Sequence, residues 1–232
     1  DGRFGTETQT SEASPVFFTG VKPVYRLSTN EGYELDATGD HRIMTVKGWV
    51  PVQELRAGDK VHVLNHRGGF GTHGNLNEGR LLGWLVGDGT FNTANGAGLM
   101  FFGEEQDLAP TFAGYVNELV GIETHRNTYA PTRGYPVGTI AIAGRNETRV
   151  VSGRLKELLA GIGIAGKEDV TTLIYTGAEE MQRGFLQGIF SSDGTVIGDA
   201  NKGVSVRLWS SKPQLLKDVQ RLLLNFGIAS KI

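Results

Sequence analysis

Two aspartates stand at corresponding points of a repeated stretch of this chain. Asp88 follows the apolar run in LLGWLVGDGTF (Leu81–Phe91), and Asp193 follows a similar run in FLQGIFSSDGTV (Phe185–Val196). Each run has the length of a short helix, and each aspartate precedes a glycine, which is suited to the left-handed position after a helix. We therefore expect two equivalent helices that each end in a carboxylate.

Small residues spaced four apart mark one face of each expected helix. They are Gly83 and Gly87 in the first stretch, and Gly188 and Ser192 in the second. Because residues i and i+4 share a helix face, these positions allow two helices to approach closely. The sequence thus predicts that the two helices pack against each other and bring the two aspartates side by side.

Two carboxylates at neighbouring helix ends are unfavourable on their own. The C-terminus of a helix carries partial negative charge, and like charges repel. A divalent cation such as Mg²⁺ would relieve this repulsion and would supply a reagent for hydrolysis. The alternative is that Asp-Gly is an ordinary helix stop and that the apolar runs are ordinary core. Two copies in matching context favour a metal site at Asp88 and Asp193.

The elements around the two helices indicate an internal repeat of order αββαββα. Helix and strand patterns alternate from residue 79, Ser152 is an expected N-cap, and the order restarts near residue 167. We expect repeat one over 79–166 and an incomplete repeat two over 167–232. A Gly-rich stretch, 67–78, reads as a linker before them.

Residues 1–66 have the short alternating pattern of β-strands. A hairpin is expected with its turn at Asn30-Glu31-Gly32, followed by a strand, a turn at Ala57-Gly58-Asp59 and a further strand. The expected fold class is therefore α+β, with an all-β portion followed by the repeated αββαββα domain.

Composition excludes several classes of protein. The chain has 232 residues, no Cys and a net charge of −2. Disulfides, thiolate metal sites and thiol nucleophiles are therefore excluded, and any surface for nucleic acid must be a local patch. Because no apolar run is long enough to span a membrane, we expect a soluble, cytoplasmic protein without a membrane partner.

The two helices resemble the signature helices of LAGLIDADG homing endonucleases over roughly residues 78–232. The residues at the characteristic positions of the motif are Gly83, Asp88, Gly89, Gly188, Asp193 and Gly194. Val86 and Ser191 stand where the motif has Asp, at sites that vary in the family. The segment GKEDVTTLIY resembles the family segment that carries a lysine near the active site, which would be Lys167. The usual Ile-Pro after that lysine is absent here.

The resemblance implies a saddle-shaped monomer with pseudo-twofold symmetry that cuts both strands of a DNA target with Mg²⁺ or another divalent cation. Its β-ribbons would lie in the DNA major groove, with the two aspartates over the minor groove. Candidate side chains that read DNA, which could also be solvated surface residues, are Arg126, Asn127, Arg133, Arg145, Lys202 and Arg207.

The tetrad Thr38-Gly39-Asp40-His41 and the AGDKV after it resemble the Thr-x-x-His region of the Hint module, the self-splicing fold of inteins. In that family the His polarises the peptide bond at the splice junction and the Thr forms a hydrogen bond nearby. Thr38, Asp40 and His41 are thus candidate splicing residues, and flanking host segments (exteins) are implied partners. The chain lacks a terminal Cys or Ser nucleophile and a terminal His-Asn. We therefore expect an internal fragment that does not splice by itself.

The leading hypothesis is an intein that carries a DNA endonuclease making a metal-dependent double-strand break. One alternative is a relative that binds DNA or RNA without cutting it. Another is a splicing element in which the inserted domain is passive. The presence of both Asp88 and Asp193 favours the enzyme.

Overall fold

The computed structural model of the chain describes residues 12–93, 95–121, 123–124, 134–199, 201 and 203–232. They form two compact units. The first contains the described residues up to Gly69 together with Leu216–Ile232, and the second is Phe70–Leu215. The sequence predicts a single boundary at the linker 67–78, whereas in the structure the last residues of the chain pack with the first unit.

The first unit is built on two antiparallel hairpins. The strands are β1 (Val24–Ser28), β2 (Glu34–Thr38), β3 (Arg42–Thr45) and β4 (Gly48–Pro51), followed by a 3₁₀ helix over Val52–Glu54. β1 pairs with β2 and β3 pairs with β4. The hairpin expected around residues 30–32 is confirmed, since Gly32 N donates to Thr29 O at 3.1 Å.

The strand expected after Asp59 is not formed as a regular strand. Only an isolated bridge joins Val61 to Thr45 there, beside a hydrogen bond of 2.9 Å from His62 N to Met44 O. The C-terminal residues of this unit are helical at their start, and they are joined to its hairpins by an ion pair in which Lys217 Nζ lies 2.7 Å from Glu34 Oε2. The first unit is therefore not all-β.

The second unit contains most of the helices. The helices of the chain are α1 (Leu76–Val86), α2 (Ala109–Val120), α3 (Gly153–Gly161), α4 (Lys167–Tyr175), α5 (Glu179–Ser192) and α6 (Pro213–Asn225), and α6 begins in the second unit and continues in the first. Its strands are β5 (Gly89–Thr93), β6 (Gly96–Phe102), β7 (Glu123–Thr124), β8 (Gly134–Tyr135), β9 (Thr139–Ala141), β10 (Glu147–Ser152), β11 (Gly194–Asp199) and β12 (Gly203–Leu208). Ser152 is the N-cap of α3, as expected, and its hydroxyl accepts from Leu155 N at 3.1 Å.

The first repeat forms a four-stranded antiparallel sheet in the order β5-β6-β10-β9. Helices α1, α2 and α3 pack against this sheet, and the core between them contains Trp84, Phe101 and Phe112. The indole of Trp84 stacks on Phe101 with ring centroids 4.8 Å apart and donates to Met100 O at 2.9 Å. This core fixes α1 against the sheet.

The second repeat consists of α5, the two-stranded sheet β11-β12 and α6. The order αββα thus occurs twice, while the second pair of strands is described only in the first copy. Helix α4 precedes the second copy; the sequence pattern did not predict it. No helix among the described residues has both the length and the apolar composition needed to traverse a lipid bilayer.

Candidate functional site

The site lies where α1 and α5 end. Helix α1 begins at its N-cap Asn75, whose side chain accepts from Glu78 N at 3.0 Å, and its last hydrogen bond runs from Gly87 N to Gly83 O at 3.1 Å. Helix α5 has Asp193 as its C-cap. Both helices therefore stop at or just before the repeated Asp-Gly, and strands β5 and β11 begin at the glycine. The left-handed conformation expected at these glycines is wrong, because neither Gly89 nor Gly194 has a positive φ; a side chain is excluded there by the backbone of the preceding helix turn.

The two helices are in backbone contact at Gly83 and Gly188. Their Cα atoms face each other, since a Cβ added to either glycine would lie 3.0 Å from the Cα of the other. The Cβ at Gly83 would also lie 2.8 Å from Ile189 N, and the one at Gly188 would lie 2.8 Å from Trp84 N. No side chain fits at either position, so the packing predicted through these small residues is present.

A second pair of glycines, which the sequence analysis missed, extends this contact. A Cβ at Gly79 would overlap Met181 O, and a Cβ at Gly184 would overlap Leu76 O. The separation in sequence is the same from Gly79 to Gly184 as from Gly83 to Gly188. That constant spacing was the signal that could have revealed them. The matching contacts of the two glycine pairs show that the two helices contact each other through equivalent surfaces, as in a twofold interface.

The small residues nearest the helix ends bring the carboxylates together. At Gly87 a Cβ would collide with Ser192 Oγ and would lie 3.4 Å from Asp193 Oδ2. Asp88 is the residue that follows Gly87. The structure thus brings Asp88 and Asp193 to the same end of the helix pair, as the sequence analysis anticipated.

The electrostatics of the pair are unfavourable for two ionised carboxylates. Burial raises the pKa of Asp88 to about 6, with further contributions from the nearby charges of Asp193 and Glu105. Burial also raises the pKa of Asp193. The nearby ammonium of Lys167 acts in the opposite direction on both.

Lys167 reaches the same place from the first turn of α4. Its Nζ donates a 2.5 Å hydrogen bond to Gly87 O. Burial lowers the pKa of Lys167, while the charges of Asp193 and Asp88 raise it. The three residues named as catalytic candidates from the sequence are therefore neighbours, although α4 itself was not foreseen.

Glu105, in a 3₁₀ helix over Gly103–Leu108, is a further charged residue that the sequence analysis missed. Its carboxylate accepts from Phe102 N at 3.3 Å and acts electrostatically on Asp88. Nothing in the local sequence marks it, because its proximity to Asp88 depends on how β6 returns beside β5.

The carboxylates of Asp88 and Asp193 suit a hard cation that takes its remaining oxygen ligands from water or substrate. Among the described residues no group of three or more His, Asp or Glu could hold a metal ion. Two carboxylates that repel each other and are half-buried do fit Mg²⁺, which is commonly held by one or two carboxylates with water and substrate phosphate as its other ligands.

The candidate DNA-reading residues are only partly described. Arg207 is exposed on β12, opposite Thr195 on β11, and its Nε donates to Ser205 Oγ at 3.2 Å. Arg145 lies in the turn before β10, and its guanidinium is 3.6 Å from the buried carboxylate of Glu147. Four further candidates lie outside the described residues: Arg126, Asn127, Arg133 and Lys202.

The candidate splicing residues form a separate network in the first unit. The hydroxyl of Thr38 donates to Asp40 Oδ1 at 2.6 Å, and Lys22 Nζ donates to Asp40 Oδ2 at 2.9 Å. These hydrogen bonds lower the pKa of Asp40 to about 2, and the bond from Thr38 makes the largest contribution. His41 is exposed, and its main-chain N donates to Thr38 O at 3.0 Å.

Comparisons with known proteins match the second repeat to a family. Residues 180–232 match the model of the LAGLIDADG-like domain. Over 230 residues the chain is 30% identical to the replicative DNA helicase DnaB of Rhodothermus marinus. This alignment covers 96% of this chain and 24% of the helicase. The chain is 28% identical to RecA of Mycobacterium tuberculosis, over 96% of this chain and 28% of that protein.

A third relative is the ribonucleoside-diphosphate reductase NrdEB subunit alpha of Bacillus subtilis, 25% identical over 90% of this chain and 20% of that protein. The chain thus spans about a quarter of the length of these relatives or less. Among solved structures it is similar to the homing endonuclease I-DmoI. A crystal structure of an I-DmoI variant with nicked target DNA and manganese has 19% sequence identity, a TM-score of 0.42, and coverage of 67% of this chain and 80% of that one.

Proposed function

We propose that residues 79–232 form the DNA-cutting part of a homing endonuclease that makes a site-specific double-strand break. One observation carries this proposal: α1 and α5 contact each other through equivalent glycines and bring two carboxylates to one end of the pair. Two phosphodiester hydrolyses on opposite strands need two sites related by approximate twofold symmetry. The match of residues 180–232 to the LAGLIDADG-like domain supports this assignment.

Asp88 and Asp193 would hold Mg²⁺, or another divalent cation, together with phosphate oxygens of the DNA. When bound, such an ion supplies charge neutralisation and lowers the pKa of its bound water. In each cut the oxygen of a water molecule forms a bond to phosphorus, one P–O bond of the backbone breaks, and the leaving oxygen takes up a proton. Lys167 would lie close enough to act on phosphate charge in the same place, because its ammonium is bound to Gly87 O.

The surface that binds DNA would include the exposed faces of β11 and β12, where Arg207 lies. Arg126, Asn127, Arg133, Arg145 and Lys202 remain further candidates. Phosphate contacts supply affinity and base contacts supply sequence choice. The protein would act as a monomer, since one chain supplies both halves of the site.

We propose in addition that residues 1–66 are part of an intein splicing module. The same segment matches a helicase, RecA and a reductase subunit, as a minor part of each. That distribution fits a segment inserted in different hosts. Thr38, Asp40 and His41 are the candidate splicing residues, with flanking host segments as partners. His41→Ala in a longer precursor should block cleavage at the N-terminal junction and leave DNA cutting unchanged.

The endonuclease proposal is tested on a plasmid library that carries randomised duplex inserts. Incubation of the precursor with Mg²⁺ should linearise a small set of plasmids that share one sequence, and EDTA should abolish cutting. The same DNA should be bound in Ca²⁺, where gel shift separates binding from cleavage. Binding without any cutting in Mg²⁺ or Mn²⁺ would favour the alternative of a relative that binds DNA without cleaving it.

A further inference from the structure

The ammonium of Lys167 and both carboxylates surround one backbone position, Gly87. Nζ of Lys167 is 2.5 Å from Gly87 O. Oδ2 of Asp193 lies 3.4 Å from the point where a Cβ of Gly87 would stand, and Asp88 is the next residue of the chain. One cation of the protein itself thus lies near the two groups proposed to hold a divalent ion, and their charges act on it.

These charges are half-buried, so water screens their attraction less than at an open surface. A lysine ammonium is a compact point charge with three donor hydrogens, of which Gly87 O takes one. The other lysine near this place, Lys212, is paired with Glu168 in the described structure. Lys167 is therefore the lysine available to the carboxylate pair.

We propose that Lys167 and a divalent cation compete for the carboxylates of Asp88 and Asp193. This inference rests on the cation site proposed above. In the absence of metal, the ammonium offsets the repulsion between the carboxylates. The binding free energy of an added divalent cation is therefore less favourable than it would be at a carboxylate pair without a lysine beside it. Firm binding of the ion then requires the phosphate oxygens of DNA as additional ligands. Lys167 in this way makes metal occupancy depend on DNA.

The proposal is tested by titrating the protein with Mn²⁺ without DNA, with free Mn²⁺ followed by electron paramagnetic resonance. Lys167→Met should bind Mn²⁺ about tenfold more tightly than the unmodified chain, because a positive charge beside the ion is removed. Lys167→Arg, which keeps the charge, should bind as weakly as the unmodified chain. The matched control is Lys156→Met on α3, an exposed lysine, which should not change the affinity.

A second measurement needs no variant. Acetylation of lysines by a water-soluble ester, read by mass spectrometry, should modify Lys167 slowly without metal. Addition of Ca²⁺ should speed its modification relative to Lys156, because the ion neutralises the carboxylates whose charges hold the ammonium in its protonated form near them. An unchanged ratio of the two rates would contradict the competition.

The outcomes separate this inference from the function on which it rests. If Lys167→Met binds Mn²⁺ with the same or lower affinity than the unmodified chain, Lys167 does not compete and the inference is overturned, while the cation site stands. If Asp88→Asn binds Mn²⁺ as well as the unmodified chain does, the ion binds elsewhere, and the proposed cation site is overturned with it.

Discussion

The two halves of the second unit are alike where their helices meet and different in their sheets. Gly83 and Gly188 occupy equivalent backbone contacts, since a Cβ added to either would lie 3.0 Å from the Cα of the other. In the first half Leu99 and Val150 are 0% and 1% exposed between sheet and helices, whereas Val196 and Val206 of β11 and β12 are 68% and 63% exposed. The symmetry of the chain is thus kept at the helix pair that positions the carboxylates, whereas the sheet of the first half is buried and that of the second half is exposed.

The largest expected difference between the halves concerns two tryptophans. Trp84 is fully buried against Phe101 and Phe112, while Trp209 after β12 is 64% exposed. Trp84→Ala should lower the free energy of unfolding by about 3–5 kcal/mol, through lost burial and a cavity. Trp209→Ala should change it by less than about 0.5 kcal/mol. Urea denaturation followed by circular dichroism measures both, and equal losses would remove the contrast between the sheets.

The helix interface should respond equally from both sides. Gly83→Leu and Gly188→Leu should each cost about 1–3 kcal/mol, because a side chain at either position meets backbone that cannot move aside. The control is Gly114→Leu on α2, where a Cβ meets no atom within 4 Å. That variant should keep the stability of the parent or gain slightly from better helix propensity. A melting temperature of Gly188→Leu like that of the parent would contradict equivalent packing.

The carboxylate pair should give stability a dependence on pH. Because the folded pKa of Asp88, about 6, is above its ordinary value of 3.8, the folded state binds more protons between these values. The free energy of unfolding should therefore fall as pH rises from about 4 to 6. The full shift corresponds to about 3 kcal/mol, and since the carboxyl is half exposed to water we expect about 1 kcal/mol. Asp88→Asn should remove most of this slope in urea titrations at several pH values.

The sequence predicted those features that depend on short-range pattern. The ends of α1 and α5, their contact through small residues and the Ser152 cap follow from spacing and residue type. Helix α4 was not predicted, because KEDVTTLIY mixes β-branched residues with a charged start and lacks a clear helical period. The features that were predicted, namely the helix ends, the spacing of small residues and the Ser152 cap, depend on residues within one segment and not on the rest of the fold.

Contacts between distant segments could not be read in this way. The position of Lys167 at Gly87 O depends on where α4 lies against α1, and the influence of Glu105 on Asp88 depends on the return of β6. The packing of residues 216–232 with the first unit likewise has no local signal, since α6 has the same amphipathic pattern whichever surface covers it.

Asp88→Asn and Asp193→Asn, compared on one DNA target, test most directly whether the paired carboxylates are the reactive centre. Each change removes a negative charge from a helix C-terminus and keeps the size, so each variant should fold at least as well as the parent. Gel shift in Ca²⁺ should show target binding like that of the parent, because affinity comes mainly from phosphate and groove contacts. Incubation in Mg²⁺ should yield no double-strand break by either variant, because an amide is a poor ligand for a hard cation. Full cleavage by either variant would show that the repeated Asp-Gly helices serve structure alone, and would contradict the enzyme assignment.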